Sequence, residues 1–232
     1  MIHLTHPTRR RTVLRAMTAG AAAAALPAVH AQGDRPVSLI VSYPAGGGAD
    51  LMARLIAPHL ATALGRSVVV ENKPGASGQI AASFVAKAAP DGNTLLLDAS
   101  SFAVNPSLFA KLPYDSEKDF TPLGIVALFP NVLVCTPSYE ARTVKDVVRL
   151  AKASPARISY ASSGNGSAQH LAGALFEDRA GVQLVHVPYR GGGPALTDVM
   201  GGQVPLFFAN VASSLGHIQS GRLRQLDSTS RR

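Results

Sequence analysis

The chain has no tryptophan, one cysteine, few aromatic residues (6%) and few acids, 14 Asp and Glu against 22 Lys and Arg. Each shortage closes off a class of protein. A single thiol, Cys135, excludes an internal disulfide and, inside the strand-like NVLVCTP, reads as a small buried residue. Structural zinc lacks ligands: the histidines are scattered, and no H-E-x-x-H is present. The formal charge of +8 points toward nucleic acid only until it is located. Arg9, Arg10, Arg11 and Arg15 fall within the first 31 residues, which hold no acid, and 22 less these four leaves 18 basic residues against 14 acidic. With that mild excess and no basic helix, a nucleic-acid surface is not expected, whereas a small anionic ligand suits the sign. After the N-terminus no apolar run reaches the roughly 20 residues that span a bilayer.

What is present begins with TRRRTVLRAMTAGAAAAALPAVHAQG. A basic start, an apolar stretch from Ala16 to Val29, and small residues at Val29 and Ala31 make residues 1–31 a signal peptide cleaved near Ala31. Arg10 and Arg11 also fit a twin-arginine signal, so both export routes stay open. The mature chain is then expected outside the cytoplasm.

Downstream, short β-branched runs alternate with helical stretches: VSLIVS, SVVVE, TLLLD, VLVCT, RISYA, VQLVHV and VPLFFA are the strands. Strands apolar throughout are buried on both faces, as in a mainly parallel sheet with helices on either side, so the fold class is α/β. Residues 50–64 predict a helix with Asp50 as N-cap, apolar positions 52, 55, 56, 60, 63 and 64 inward, a bend at Pro58 and a stop at Gly65. Residues 143–153 predict another, capped by Thr143. The turn-rich NPSLFAKLPYDSEKDFTPLG, after which the alternation restarts, suggests two lobes meeting near residue 128.

The loops after the strands carry the chemistry. YPAGGGAD runs from a strand through three glycines into a helix, so bare main-chain N–H groups and a helix dipole face whatever lies at the sheet's carboxyl edge. It lacks the G-K-[ST] of a P-loop, so an anion is expected there rather than a nucleotide. YASSGNGSAQHLAGALF repeats the design with hydroxyls, and its helix opens near Ser167. DASSFAVNP offers Ser100, Ser101 and Asn105, and PYRGGGPAL offers Tyr189, with Arg190 read as a solvated surface cation. A rival reading is a secreted esterase or acyl-transferase with Ser163 or Ser167 as nucleophile and His170 as base, but the G-x-S-x-G elbow is missing.

YPAGGGADLMARLIAPHLATALG, VVVENKPGASGQIAASFVAKAAPDG, NPSLFAKLPYD, YASSGNGSAQHLAGALF and VHVPYRGGGPALTDVMGGQVPLFFAN, in this order, resemble the periplasmic solute-binding proteins of the tripartite tricarboxylate transporter family, the Bug-type receptors. The resemblance implies a two-lobed, type II Venus-flytrap fold that closes on a small organic carboxylate and delivers it to a membrane permease. It implies a monomer with no enzymatic activity, no metal and no cofactor. Carried onto this chain, the ligand-binding positions are Tyr43, Ala45, Gly46, Gly47, Ala49 and Asp50 in the first loop, and Ser100, Ser101 and Asn105 in the next. From the second lobe come Ser162, Ser163, Gly164, Ser167, Tyr189 and Asn210. Ala209 stands where many members carry an acid, which argues for a carboxylate ligand without an ammonium group. Members continue past the point where this chain ends in GRLRQLDSTSRR. The expected domains are therefore residues 33–128 as lobe 1, 129–221 as lobe 2, and 222–232 as an aborted return strand to an incomplete lobe 1. A truncated, non-functional remnant is the other expectation.

Overall fold

The computed structural model describes residues 35–228, so the expected signal peptide lies outside the described residues. Among the described residues, the seven apolar runs and one further segment near the C-terminus form eight strands in two sheets. In the first, β1 (Val37–Val41) lies between β2 (Val68–Asn72) and β3 (Thr94–Leu97), all parallel. Helix α1 (Gly48–Leu64) connects β1 to β2, and α2 (Gln79–Ala86) connects β2 to β3; α3 (Ser101–Leu108) follows. The second sheet has five strands, formed by β4 (Asn131–Cys135), β5 (Ser159–Ser162), β6 (Val185–Pro188), β7 (Leu206–Asn210) and β8 (Arg224–Ser228), in the order β6-β5-β7-β4-β8. Its connecting helices are α4 (Val144–Ala153), α5 (Ala168–Ala180), α6 (Gly192–Met200) and α7 (Val211–Gln219).

The second sheet is buried on both faces because its central strands carry apolar residues on both sides, with polar ones only at their ends. Val132, Val134, Ala161 and Phe207 pack with Leu196 and Val199 of α6 on one face. Leu133, Cys135, Tyr160, Leu206 and Phe208 pack with Val147 and Ala151 of α4 on the other. Each such side chain removed from water stabilises the fold by about 1.5–3 kcal/mol, an upper figure given residual burial in the unfolded chain. The first sheet has a thinner core, centred on Leu39, Val41 and Ala53. The link 121–130, outside any strand or helix, leaves Leu123, Ile125 and Leu128 at 80%, 80% and 84% exposed.

Three details differ from the expectations. Gly47, not Asp50, is the N-cap of α1, and Asp50 sits in the first turn. Pro58 lies inside α1, which runs on to the expected stop at Gly65, where φ is +63°. The fully buried residues of α1 are Asp50, Ala53 and Ala57, and Ile56 packs against the same core as expected, whereas Leu55 is 60% exposed; alanines let the helix lie close on the sheet. Finally, residues 224–228 do not return to the first sheet. They pair antiparallel with β4 as an edge of the second, where Arg224 donates to the carbonyls of Pro137, Tyr139 and Ala141. The guanidinium's fork of donors anchors that edge to the loop after β4.

Candidate functional site

Because β1, β3, β5, β6 and β7 run into loops followed by helices, the carboxyl edges of both sheets carry the chain's open N–H groups. These edges meet. A Cβ on Gly48 would stand 3.0 Å from the Asn210 amide, and a Cβ on Gly193 would stand 3.2 Å from the Ala45 carbonyl. Pro44 occupies the space a side chain on Gly191 would need, and Gly191 has φ +152°. On the other side Ser77 Oγ donates to the Asn165 carbonyl at 2.6 Å, and Gly166 rests against Val104 and Leu108.

Between these contacts lies a cleft of about 400 Å³, within the range of small-molecule sites. Ser42, Tyr43 and the turn Gly75–Gly78 form one wall, and Ser163, Gly164, Asn165, Pro188, Tyr189 and Arg190 form the other. Four consecutive residues of that turn have positive φ, including Ala76 (+46°) and Ser77 (+55°). L-residues held there store strain that the surrounding structure must override, a recurrent feature of ligand sites. No aspartate or glutamate lines the cleft, and Arg190 is its cation, with no ion pair among the described residues.

The sequence-predicted residues divide into three groups. Tyr43, Ser163, Gly164 and Tyr189 line the cleft. Ala45, Gly46, Gly47 and Ala49 form the loop that meets Gly191–Gly193 and the first turn of α1. The others support. Asp50, 2% exposed, accepts from Gly46 N–H (3.0 Å), Arg54 Nε (3.1 Å) and Asn72 Nδ2 (2.9 Å), and pairs with Arg54. It is thus spent inside the protein, as a carboxylate facing an anion would have to be. Burial pushes its pKa up, but the Arg54, Gly46 and Asn72 donors outweigh this and hold it below the usual value. Ser101 bonds to the Tyr43 hydroxyl at 2.7 Å. Asn105 donates to the Ser77 carbonyl at 3.0 Å, fixing the strained turn from behind. Ser100 is exposed at the start of α3 without a capping bond. Ser167 caps α5 by accepting from His170 N–H (3.3 Å), and Asn210 caps α7 by accepting from Ala212 N–H (2.9 Å). Ser42, Ser77 and Arg190 were not predicted as site residues. Arg190 was visible in sequence, as the residue immediately before a glycine run at a strand end; the roles of Ser42 and Ser77 depend on where the two sheets meet.

The esterase geometry is absent among the described residues. The His170 ring accepts from Gly166 N–H at 3.1 Å and stacks on His186 at 4.1 Å, and neither Ser163 nor Ser167 bonds to it. Ser162, buried, instead meets His186 Nε2 at 2.6 Å. Burial, and secondarily the neighbouring His170, push the His186 pKa down from 6.5 to about 4. A histidine whose folded pKa lies below its unfolded value favours the fold while neutral and opposes it once charged. Stability is therefore lost as pH falls from 6.5 toward 4. Every tenfold change in proton affinity is worth about 1.4 kcal/mol, and solvent screening at this partly exposed ring reduces the sum to about 2 kcal/mol. Urea denaturation across that range should show the loss in the wild type and a smaller one in His186→Gln.

Two α/β lobes whose helix-starting loops face one another across a cleft are the architecture of a periplasmic-type solute-binding protein. Residues 52–232 match the model of the tripartite tricarboxylate transporter family receptor, TctC, and the chain belongs to that family. Protein BugT of Bordetella pertussis is 41% identical over 194 residues, covering 83% of this chain and 60% of its own. Among solved structures, Rpa4515 of R. palustris with adipate aligns with a TM-score of 0.82 at 37% identity, over 85% of this chain and 67% of that one. MatC of Rhodopseudomonas palustris with bound malate aligns at 0.76 and 29% identity, over 84% and 67%. The chain spans about three fifths of the length of the curated relatives it matches.

Proposed function

We propose that this chain is an extracytoplasmic receptor, exported by its N-terminal signal, that closes on a small organic carboxylate and delivers it to a tripartite-type permease. The observation that carries the reading is the make-up of the cleft: glycine-bared backbone, the Ser163 hydroxyl and Arg190, with no acid in its walls, while the hydroxyls of Ser42, Tyr43 and Ser77 are engaged by Asp98, Ser101 and the Asn165 carbonyl. Such a surface accepts a carboxylate through neutral donors and one cation, without desolvating a buried guanidinium. The adipate and malate held by two structural neighbours belong to the same ligand class. Capture consists of loop and hinge closure, with no bond made or broken, so the chain acts as a receptor and not as an enzyme. Its working unit is the monomer, because both cleft walls come from one chain.

The test is thermal unfolding of residues 32–232 with adipate, malate, citrate and nicotinate. At a hundredfold excess over its Kd, a ligand stabilises by about 2.7 kcal/mol, which raises the melting temperature by about 5–10 °C. A folded sample that shifts with none of these acids overturns the reading.

A further inference from the structure

The cleft wall on the first-sheet side rests on one carboxyl, that of Asp98, which follows β3 one layer beneath the lining residues. Ser42 Oγ donates to its Oδ1 at 2.6 Å, Ala99 N–H at 2.7 Å and Ser101 Oγ at 3.2 Å. Ser101 in turn bonds to the Tyr43 hydroxyl. Gly78, which lines the cleft, lies directly over the other oxygen: a Cβ there would stand 2.8 Å from Oδ2. That Oδ2 is buried and has no hydrogen-bond partner. Three lining residues, Ser42, Tyr43 and Gly78, thus stand on a single carboxyl whose outer oxygen is unsatisfied.

We infer that Asp98 takes up a proton when an anion enters the cleft, making ligand capture proton-linked and setting the charge that the first-sheet wall accepts. The inference rests on the carboxylate reading above. An ionised Asp98 behind Ser42 and Gly78 repels a carboxylate lodged against them, and the water-poor wall screens that repulsion weakly. A neutral Asp98 removes it. The groups facing Asp98 do not compensate its charge. They are hydroxyls of Ser42 and Tyr43 from the loop after β1, Ser101 from α3, the backbone of Gly78, and Tyr114 from the segment after α3. Of these only the tyrosines titrate, and burial raises both their pKa values, so they stay neutral. No ion pair reaches Asp98 among the described residues, and Arg190 belongs to the opposite wall. Burial also pushes the Asp98 carboxyl above its ordinary value, against the bonds from Ser42, Ala99 and Ser101, so its titration reaches upward from the usual carboxylate range.

The sign follows from linkage: a bound anion raises the Asp98 pKa further, so binding takes up protons and affinity falls as pH rises, by at most about tenfold per pH unit. Calorimetric titration of adipate into the mature chain, in buffers of different ionisation enthalpy between about pH 5 and about pH 8, counts the protons. Wild type should take up a fraction of a proton beyond what adipate's own titration supplies, and Asp98→Asn should lose that excess and bind at least as tightly at the upper end. Equal proton counts and parallel pH profiles in the two proteins overturn the inference while leaving the receptor reading intact. Absence of adipate binding in either protein, when another acid of the panel binds, moves the same titration to that acid; absence of binding to every acid overturns both. Should Asp98→Asn fail to fold, the carboxyl carbon shift of Asp98 in ¹³C-aspartate-labelled wild type decides. Its titration midpoint should move up on adding ligand, and an unmoved midpoint rejects the coupling.

Discussion

Gly191→Val weakens carboxylate binding by about a hundredfold or more while the protein still folds. The reason is where the side chain would go. The backbone of Gly191 has φ +152°, and its missing Cβ would occupy the volume of the Pro44 ring from the other lobe. Pro44 cannot rotate away, because its ring is closed onto the backbone of the loop that leads into α1. Bringing the two loops together past a valine then costs about 3 kcal/mol, the upper range of overpacking penalties. The fraction of molecules able to close falls accordingly, and the apparent affinity with it. Unfolding is less affected, since an open arrangement of the lobes relieves the clash. Gly202→Val is the control: it also has positive φ (+74°), but nothing lies within 4 Å of its Cβ. It carries the backbone strain without the obstruction. Calorimetry with the acid that gives the largest thermal shift should show near-wild-type affinity for Gly202→Val. Affinity for Gly191→Val within about threefold of that control would show that the loops need not meet for ligand to be held.

The same pair of loops shows what can and cannot be seen in one sequence. Gly65, Thr143 and Ser167 were readable as helix boundaries because stop and cap signals act within one turn, and all three do what the local pattern suggests. The seven strands were readable from their short β-branched and apolar runs, and the fully buried ones, β4 and β7, are those in which such residues are nearly continuous. The phase of α1 was not readable from its leucines. Contact with the sheet selects Ala53 and Ala57 for close approach, and Leu55 is left outside. Nor was it visible that β8 would join the second sheet, since strand neighbours are chosen in three dimensions and Arg224's partners lie more than 80 residues away in the chain. In the candidate site, the glycine runs mark loops that lie where the edges of the two sheets meet. Which glycine needs to be bare was hidden: a Cβ on Gly47 would make ordinary contacts at 3.5 Å and 4.0 Å, whereas Gly48 and Gly191 face the other lobe. Asp98 was hidden for the same reason. A carboxyl beside two serines reads as a loop residue until Gly78 is seen to cover it.

Asp50→Ala destabilises the protein by about 3 kcal/mol at neutral pH and reduces ligand affinity as a consequence, although Asp50 has no place on the cleft surface. Its carboxylate closes three connections at once, to the Gly46 N–H, to the Arg54 guanidinium one turn along α1 and to the Asn72 amide at the end of β2. Asn72 also donates to the Tyr43 carbonyl at 2.9 Å, so the carboxylate indirectly holds both ends of the loop that carries Pro44 and Gly46. Removing it leaves buried donors unsatisfied and a loop free to move; losing one partner of a buried, hydrogen-bonded pair costs about 3–5 kcal/mol, and Arg54's exposure places this case at the low end. Asp50→Asn keeps one acceptor and should fall between the two. The pH dependence separates this mechanism from simple loss of packing. Asp50's pKa lies below its ordinary 3.8 in the folded protein, so its contribution is present above that value and is lost as pH falls through the folded pKa. The gap between wild type and Asp50→Ala in urea denaturation should therefore be full at pH 7 and narrow below about pH 4. A gap under about 1 kcal/mol at neutral pH, or one that persists unchanged into acid, would mean that the loop is held by its glycines and prolines rather than by this carboxylate.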